Sequence, residues 1–457
     1  MNARTRALRR KDKAYLWHPF TQMKEWVADE PLVIEDGRGA IVRDTDGRSY
    51  IDAIGSLWCN VHGHRRREID TAVRRQLTRI AHSTLLGSAS PPSILLAERL
   101  VALAPRGLTR VFYSDSGSTA VEVALKMAFQ FWRQNGARRK KRFVALENAY
   151  HGDTLGAVSV GGISLFHATY RPLLFRCVLA PSSSCYRCSL GNGPRTCGLA
   201  CAEALGEILA RHHGEIAAVI VEPLVQAAAG ILTAAPGYLR RVRQLCAKFD
   251  VFLIADEVAV GMGRTGRMFA CEHERVAPDF LCLGKGLSGG YLPLAVTLTT
   301  ERVFRGFLGE FTDFRTFYHG HTFTGNALAC AAALANLEIF EKEQTLKRMR
   351  PVVRHLNKRL RQMAQLPHVG DVRQRGLLAG IELVLDKRTK EAFDTALRIG
   401  ARICRACRAD GILLRPLGDV IVMCPPLCIT IEQIDQICDT VEKRISEVTS
   451  RFDCAPC

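Results

Sequence analysis

Val251-Phe252-Leu253-Ile254-Ala255-Asp256-Glu257 and, further on, Phe280-Leu281-Cys282-Leu283-Gly284-Lys285-Gly286-Leu287-Ser288-Gly289-Gly290 decide the fold. Each opens as a short, continuously apolar run and stops on charge or glycine. Runs of this kind are too apolar to be half exposed, so they suit strands covered on both faces of a sheet. Arg110–Ser114, Arg142–Leu146, Cys177–Ala180, Ala217–Pro223 and Leu294–Thr300 have the same character. Helical patterns lie between several of them. In Thr119–Trp132, for example, Ala120, Val123, Ala124, Met127, Ala128 and Phe131 recur at helical spacing. Alternating strands and helices predict an α/β fold with a mainly parallel, seven-stranded sheet and helices on both faces.

The two ends read differently. Residues 32–53 hold short strands with turn signals at Asp36-Gly37 and Asp46-Gly47. Residues 326–365 read as one long helical stretch. Strand-like pieces follow around 376–385 and 412–423, with helices at 391–409 and 431–449. The expectation is a smaller α+β domain drawn from both termini, residues 1–70 and 331–457, around a large domain of residues 71–330.

Composition excludes several classes. With 457 residues, 47% hydrophobic and 24% charged, the chain has the make-up of a globular enzyme. The net charge of +18 comes from basic residues scattered along apparent helix faces. No helix-turn-helix, RRM or zinc-finger pattern accompanies it, so no nucleic-acid partner is expected. The charge reads as a solvated basic surface or a field that favours anionic substrates. No apolar run is long enough to span a bilayer, and the basic stretch Met1–Lys13 lacks the apolar core of a secretory signal. No membrane partner and a cytoplasmic location are the expectations.

In a parallel sheet, ligands collect at the carboxyl ends of the strands. Asp256, Lys285 and the segment Asp115-Ser116-Gly117-Ser118 all follow apolar runs, so they converge on one sheet edge. A lysine amine, a carboxylate and a helix start are the groups that pyridoxal 5′-phosphate (PLP) requires of a protein. The lysine forms a Schiff base, the carboxylate holds the pyridinium nitrogen, and the helix end takes the phosphate. Singly, each residue has a plainer reading: Ser116 as an N-cap, Asp256 as a strand-end ion-pair partner, Lys285 as a surface lysine. A lysine between glycines directly after a buried strand is an unusual surface position, however. Tyr150-His151-Gly152 offers an aromatic face for the ring or a core contact. Glu222-Pro223-Leu224-Val225-Gln226 offers an amide near the ring hydroxyl. His319-Gly320-His321-Thr322, ahead of a helix, suits a second phosphate contact or a cap better than a metal, for want of a third ligand.

The assembled motifs resemble the class III aminotransferases of PLP fold type I, from about Tyr15 to about Ile445. Leu16–Met23, Trp58–His64, Asp115–Lys126, Tyr150–Thr154, Ala255–Val258, Gly261–Gly266, Phe269–His273 and Arg415–Gly418 are similar to one branch, the 7,8-diaminopelargonate synthases of biotin biosynthesis. The resemblance implies that Lys285 is the Schiff-base lysine, Asp256 the pyridinium partner, and Gly117 and Ser118 phosphate ligands. Tyr150 would stack on the ring. Gly320, His321 and Thr322 would come from the neighbouring subunit of a homodimer with interface sites, Thr322 on the phosphate. Arg415 would grip a substrate carboxylate. Phe20, Leu57 and Trp58 would line the substrate pocket. The substrates implied are small keto and amino compounds: 8-amino-7-oxononanoate as acceptor, and S-adenosylmethionine or lysine as donor. Phe20 and Leu57 stand where many relatives carry tyrosine and tryptophan, a pattern nearer the lysine-using subgroup. Another class III aminotransferase acting on an ω-amino acid, or a non-enzymatic PLP-fold regulator, are the competing readings; the second requires an added DNA-binding domain or a lost lysine.

The chain has 17 cysteines. Cys177, Cys282 and Cys330 fall in apolar surroundings and read as small buried hydrophobes. Cys404 and Cys407 look like helix packing. Cys185, Cys188, Cys197 and Cys201 spell C-x2-C-x8-C-x3-C in a Gly/Pro-bearing insertion, residues 182–202. The spacing is metal-like, of structural zinc or iron–sulfur type, but free or loosely packed thiols are the favoured reading, and no metal is assigned to the site.

Overall fold

The computed structural model describes residues 1–191 and 197–452. Its largest sheet has seven strands. They run in the order Leu108–Ser114, Ala295–Thr300, Phe280–Leu283, Phe252–Asp256, Ile216–Val221, Arg142–Leu146 and Val178–Ala180. These are the apolar runs of the sequence, shifted at their ends by a residue or two. The neighbours from Phe280–Leu283 to Val178–Ala180 pair in parallel. Ala295–Thr300 runs antiparallel to both of its neighbours. A parallel return needs a crossover of about a dozen residues, usually a helix. The chain between Leu283 and Ala295 holds only a 3-10 turn, Lys285–Ser288, so it comes straight back.

Strand periodicity shows why these runs are continuously apolar. Phe252, Ile254 and Phe280 point to one face, where they meet Ala124, Ala128 and Phe131 of the helix Gly117–Gln134. Leu253, Ala255 and Leu281 point to the other, where Leu239 and Val242 of the helix Tyr238–Lys248 cover them. Both faces are dry, and every second residue has to be apolar twice over.

The termini share a second body of structure. Ile34–Arg38, Ile41–Asp44 and Ser49–Asp52 form a meander, and its last strand pairs in parallel with Ile412–Leu413, Ile51 opposite Ile412. A further sheet orders Val369–Arg375, Leu378–Leu383, Val420–Met423 and Arg415–Leu417. Among the described residues, no helix is long and apolar enough to cross a membrane.

Two sequence expectations are corrected here, and one strand went unread. The stretch 326–365 is two helices, Ala327–Lys342 and Thr345–Met363, because Gln344 adopts φ 49° between them. The helix expected from 391 starts only at Ile399, after a left-handed Arg398 at φ 50°. Val369–Arg375 is a strand although it reads as charged. Its Arg373 is buried against Glu382 and Asp371, so ion pairing replaces the apolar pattern that marks a strand.

Candidate active site

Five strand ends deliver side chains to one edge of the seven-stranded sheet. A pocket of about 130 Å³ there is lined by Trp58, Gly117, Ser118, Tyr150, His151, Gly152, Glu222, Asp256 and Lys285, among others. The convergence follows from topology: parallel strands end on the same side, so residues that follow them in sequence meet in space.

Lys285 comes directly after the strand Phe280–Leu283 and Gly284, with φ 39°. Left-handed backbone is uncommon for a non-glycine residue and sets the side chain across the sheet edge. Its Nζ stands 5.4 Å from the Trp58 ring centroid. Burial holds the amine below the usual lysine range, against the opposing pull of Asp256 and Glu222. A lysine so placed has more of the neutral, nucleophilic amine at neutral pH.

Asp256 ends its strand almost fully buried. Its Oδ2 lies 2.7 Å from Nδ1 of His151, and its Oδ1 accepts from the Val258 N–H at 3.0 Å. The His151 side chain is wholly buried in this pair. With Nδ1 donating to the carboxylate, the ring is fixed, and its Nε2 is a buried atom with no hydrogen-bond partner. Glu222 sits beside them. It accepts from the Tyr150 N–H at 3.1 Å and the Ala227 N–H at 2.9 Å. Burial pushes its carboxyl up to about 7, with His151 opposing and Asp256 adding.

Opposite these acids lies the start of the helix Gly117–Gln134. Ser116 caps it: its hydroxyl accepts from the Thr119 N–H at 3.3 Å, and the Thr119 hydroxyl accepts from the Ser116 N–H at 3.0 Å. The Ser116 side chain is used up in the cap, and the pocket is left with Gly117 and Ser118. Glycine is required at two points. A Cβ on Gly117 would sit 2.5 Å from Val258 Cγ1, and one on Gly152 would sit 2.0 Å from Ser118 Oγ. The result is a close-walled cradle at the positive end of a helix.

A larger cavity of about 1120 Å³ adjoins this pocket and holds Phe20 and Arg415 in its wall. Phe166 links the two, its ring 5.4 Å from that of Phe20 and 6.1 Å from that of Tyr150. Other arginines line the same cavity, and each is paired: Arg187 and Arg373 with Glu382, Arg398 with Glu25, Arg405 with Asp29. Among the described residues Arg415 has no carboxylate partner.

Other expected residues line neither cavity of this chain, Gly320, His321 and Thr322 among them, which the resemblance puts in the site of a neighbouring subunit. Leu57 is half exposed and lines neither cavity. Gly320, His321 and Thr322 are also outside both; His321 Nδ1 meets Asp115 Oδ2 at 2.8 Å, and the Thr322 carbonyl lies 2.7 Å from His82 Nε2. The Gln226 amide turns away from the pocket, donating to the Glu147 carbonyl at 2.8 Å and accepting from the Ser182 hydroxyl. Glu222, four residues earlier, faces the pocket instead. His151 and Glu222 are the side chains that sequence reasoning passed over. Their only signal was position, directly after Tyr150 and directly after the strand Ile216–Val221.

Residues 23–445 match the family model described as aminotransferase class-III. The chain is a class-III aminotransferase. Curated relatives of this aminotransferase include the adenosylmethionine-8-amino-7-oxononanoate aminotransferase of Nitratidesulfovibrio vulgaris, 57% identical over 98% of this chain and 83% of the relative. The protein of that name from Geobacter sulfurreducens is 52% identical over 97% of this chain and 98% of the relative. The crystal structure of the Methanocaldococcus jannaschii protein of the same name superposes with TM-score 0.92 at 45% identity, covering 97% of this chain and 99% of that one. An omega transaminase from Pseudomonas jessenii, in complex with PMP, superposes with TM-score 0.94 at 30% identity, covering 98% of this chain and all of that one.

Class-III aminotransferases depend on PLP, and the donor set of this aminotransferase fits the cofactor. It has a lysine amine with depressed basicity, a buried carboxylate held in place by a histidine, and a glycine-walled helix start for an anion.

Proposed function

We propose that this aminotransferase transfers an amino group to the 7-keto carbon of 8-amino-7-oxononanoate, forming 7,8-diaminononanoate in biotin synthesis, with S-adenosylmethionine or lysine as donor. The reading rests on relatives of that name matched over nearly the full chain, and on Arg415, which stands in the wall of the larger cavity with no carboxylate partner among the described residues. The acceptor carries a carboxylate, and a guanidinium without an internal partner is the group to receive it. The reading carries with it a cytoplasmic enzyme of two lobes, the smaller built from residues 1–70 and 331–457, around a large lobe of residues 71–330.

The cofactor, when bound, would supply an aldehyde to condense with amines and a ring that draws electrons from the reacting carbon. Lys285 would hold it covalently and, with its amine free, would carry the proton taken from the donor carbon. Asp256, oriented by His151, keeps a proton on the ring nitrogen. Backbone N–H groups of Gly117 and Ser118 would hold the phosphate, and Tyr150 would flank the ring. Phe20 and Trp58 bound the space for the substrate chain. Leu57, Gly320, His321 and Thr322 serve the site of a second copy in a homodimer, with Thr322 on the phosphate. Leu86, Phe311, Phe314 and Phe323 are all more than half exposed, apolar side chains that such a pairing would cover.

Purified Lys285→Ala is expected to lose the cofactor's visible absorbance band and at least about 1000-fold in turnover, as befits loss of nucleophile and proton carrier together. An unchanged band with sustained turnover overturns the assignment. The acceptor is tested by supplying 8-amino-7-oxononanoate against ω-amino acids and their aldehydes. The donor is tested by supplying S-adenosylmethionine against lysine with the same keto acid.

A further inference from the structure

Glu222 lines the pocket of Lys285 and Asp256, and the steps above give it no task. It follows the strand Ile216–Val221, which neighbours the strand that ends in Asp256. The register pairs Val221 with Ala255, so the next residues, Glu222 and Asp256, leave the sheet side by side. Neighbouring strands lie about 4.8 Å apart, which sets two buried acids against one another. Glu222 is also held in a fixed plane. One oxygen takes the Tyr150 N–H at 3.1 Å and the other takes the Ala227 N–H at 2.9 Å. Each oxygen keeps capacity for a further bond.

The strand order says which edge of the cofactor Glu222 meets. The strands Phe280–Leu283 and Ile216–Val221 flank Phe252–Asp256 on its two sides. Gly117 belongs to the first side: a Cβ on Gly284, which follows Phe280–Leu283, would lie 3.4 Å from Gly117 Cα. Glu222 belongs to the second. In PLP the phosphate arm and the ring hydroxyl sit on opposite edges, either side of the carbon that joins the lysine. With the phosphate at Gly117–Ser118 and the ring nitrogen at Asp256, the hydroxyl edge falls toward Glu222. Other polar side chains near that edge are already engaged. The Tyr150 hydroxyl donates to Asp153 at 2.8 Å, His151 is committed to Asp256, and the Gln226 amide donates to the Glu147 carbonyl.

We infer that Glu222, in its uncharged form, donates a hydrogen bond to the hydroxyl oxygen of the cofactor ring. The inference rests on the orientation proposed above, with Asp256 on the ring nitrogen. Asp256, His151 and Lys285 are the charged or titratable groups that face the pair of acids. A second carboxylate in so dry a place, beside the first, is disfavoured against a neutral acid. Burial accordingly raises Glu222 to about 7, with His151 opposing and Asp256 adding. The ring oxygen shares a proton with the Lys285 nitrogen once lysine and ring are joined. A hydrogen bond from Glu222 competes for that oxygen, so the nitrogen releases its proton at lower pH. Glu222 thereby sets the pH range in which the resting enzyme accepts an amine.

The visible band of the resting holoenzyme is to be titrated against pH. Glu222→Ala is expected to raise its midpoint by at least about one pH unit, the size of a hydrogen bond to a charged oxygen. Glu222→Gln, whose amide N–H still donates, is expected to move it less. A midpoint that stays or falls in Glu222→Ala overturns the inference, a fall being the mark of an ionised Glu222. Trp58 Nε1 is buried without a partner and is the rival donor. A midpoint that moves in Trp58→Phe and not in Glu222→Ala gives the oxygen to the indole and overturns the inference. The wild-type chain supplies a test that needs no variant. Its apoenzyme is expected to bind 3-deoxypyridoxal 5′-phosphate, which lacks the ring hydroxyl, at least about tenfold more weakly than PLP. Equal Kd values overturn the inference. Asp256→Asn tests the orientation by itself: a cofactor held as tightly as in the wild type overturns that orientation and this inference with it. A weakened Asp256→Asn beside an unmoved Glu222→Ala overturns the Glu222 contact alone.

Discussion

His151 is the residue whose importance geometry raised most. It is wholly buried, and its Nδ1 is committed to Asp256 at 2.7 Å. A carboxylate left without that donor loses the contact that aims it. His151→Ala is expected to lower kcat about 10- to 100-fold, the worth of one hydrogen bond to a charged group. The visible band of the cofactor should shift in its pH dependence, a change that mere loosening of the fold would not produce. Arg415→Ala belongs to the same scale and acts differently. Its charge has no carboxylate partner among the described residues, so its loss should raise KM for the keto acid about 10- to 100-fold and leave the thermal midpoint nearly untouched. Steady-state kinetics with a melting curve separate the two effects. The meeting of Lys285, Asp256 and Gly117–Ser118 in one pocket was legible in the sequence, because each follows an apolar run and parallel strands end together. The His151–Asp256 bond was not, because it spans 105 positions and depends on side-chain directions that no periodicity encodes.

Among the elements, those that obey one rule were read well and those that balance two were not. The strands of the large sheet are apolar on both faces and stood out. Val369–Arg375 hides its strand character because Arg373 replaces an apolar residue with buried ion pairs. The join between Ala327–Lys342 and Thr345–Met363 is hidden for a different reason: one left-handed Gln344 breaks the backbone with no glycine or proline to announce it. The second of those helices is held by Arg359, which reaches Asp435 and Asp439 at 2.6 Å and Glu442 at 3.3 Å on the helix Ile431–Thr449. Its side chain is only 12% exposed, so this network is better placed than a surface pair. Arg359→Ala is expected to cost about 1 kcal/mol, seen as a thermal midpoint lower by roughly 1–2 °C, with a smaller gap in high salt.

At the scale of the whole molecule, buried acids set how stability answers to pH. Glu222 and Glu257 are both pushed up to about 7 by burial, against an ordinary value of 4.5. Glu257 takes the N–H groups of Ala270 and Cys271 and closes the turn behind the site. Between these two values the folded chain holds protons that the unfolded chain has released. Their contribution is therefore complete below 4.5 and is lost as pH rises through about 7. Each group supplies a slope of up to about 1.4 kcal/mol per pH unit. Thermal melting from about pH 5 to about pH 8 should show this decline, and Glu257→Gln should flatten it.

The pairing of Ile51 with Ile412 bears on how the protein comes to exist at all. A ribosome delivers the meander Ile34–Asp52 long before its parallel partner Ile412–Leu413. The large sheet has all its strands once Thr300 has emerged, and it can condense during synthesis. The meander must wait for a contact of very high sequence separation, with the loop-closure cost that implies. Phe20 and Trp58 come from the early end and Arg415 from the late one, so the substrate cavity is walled only when translation is nearly over. A nascent chain halted before residue 412 is expected to own an organised cofactor pocket and nowhere to put a substrate.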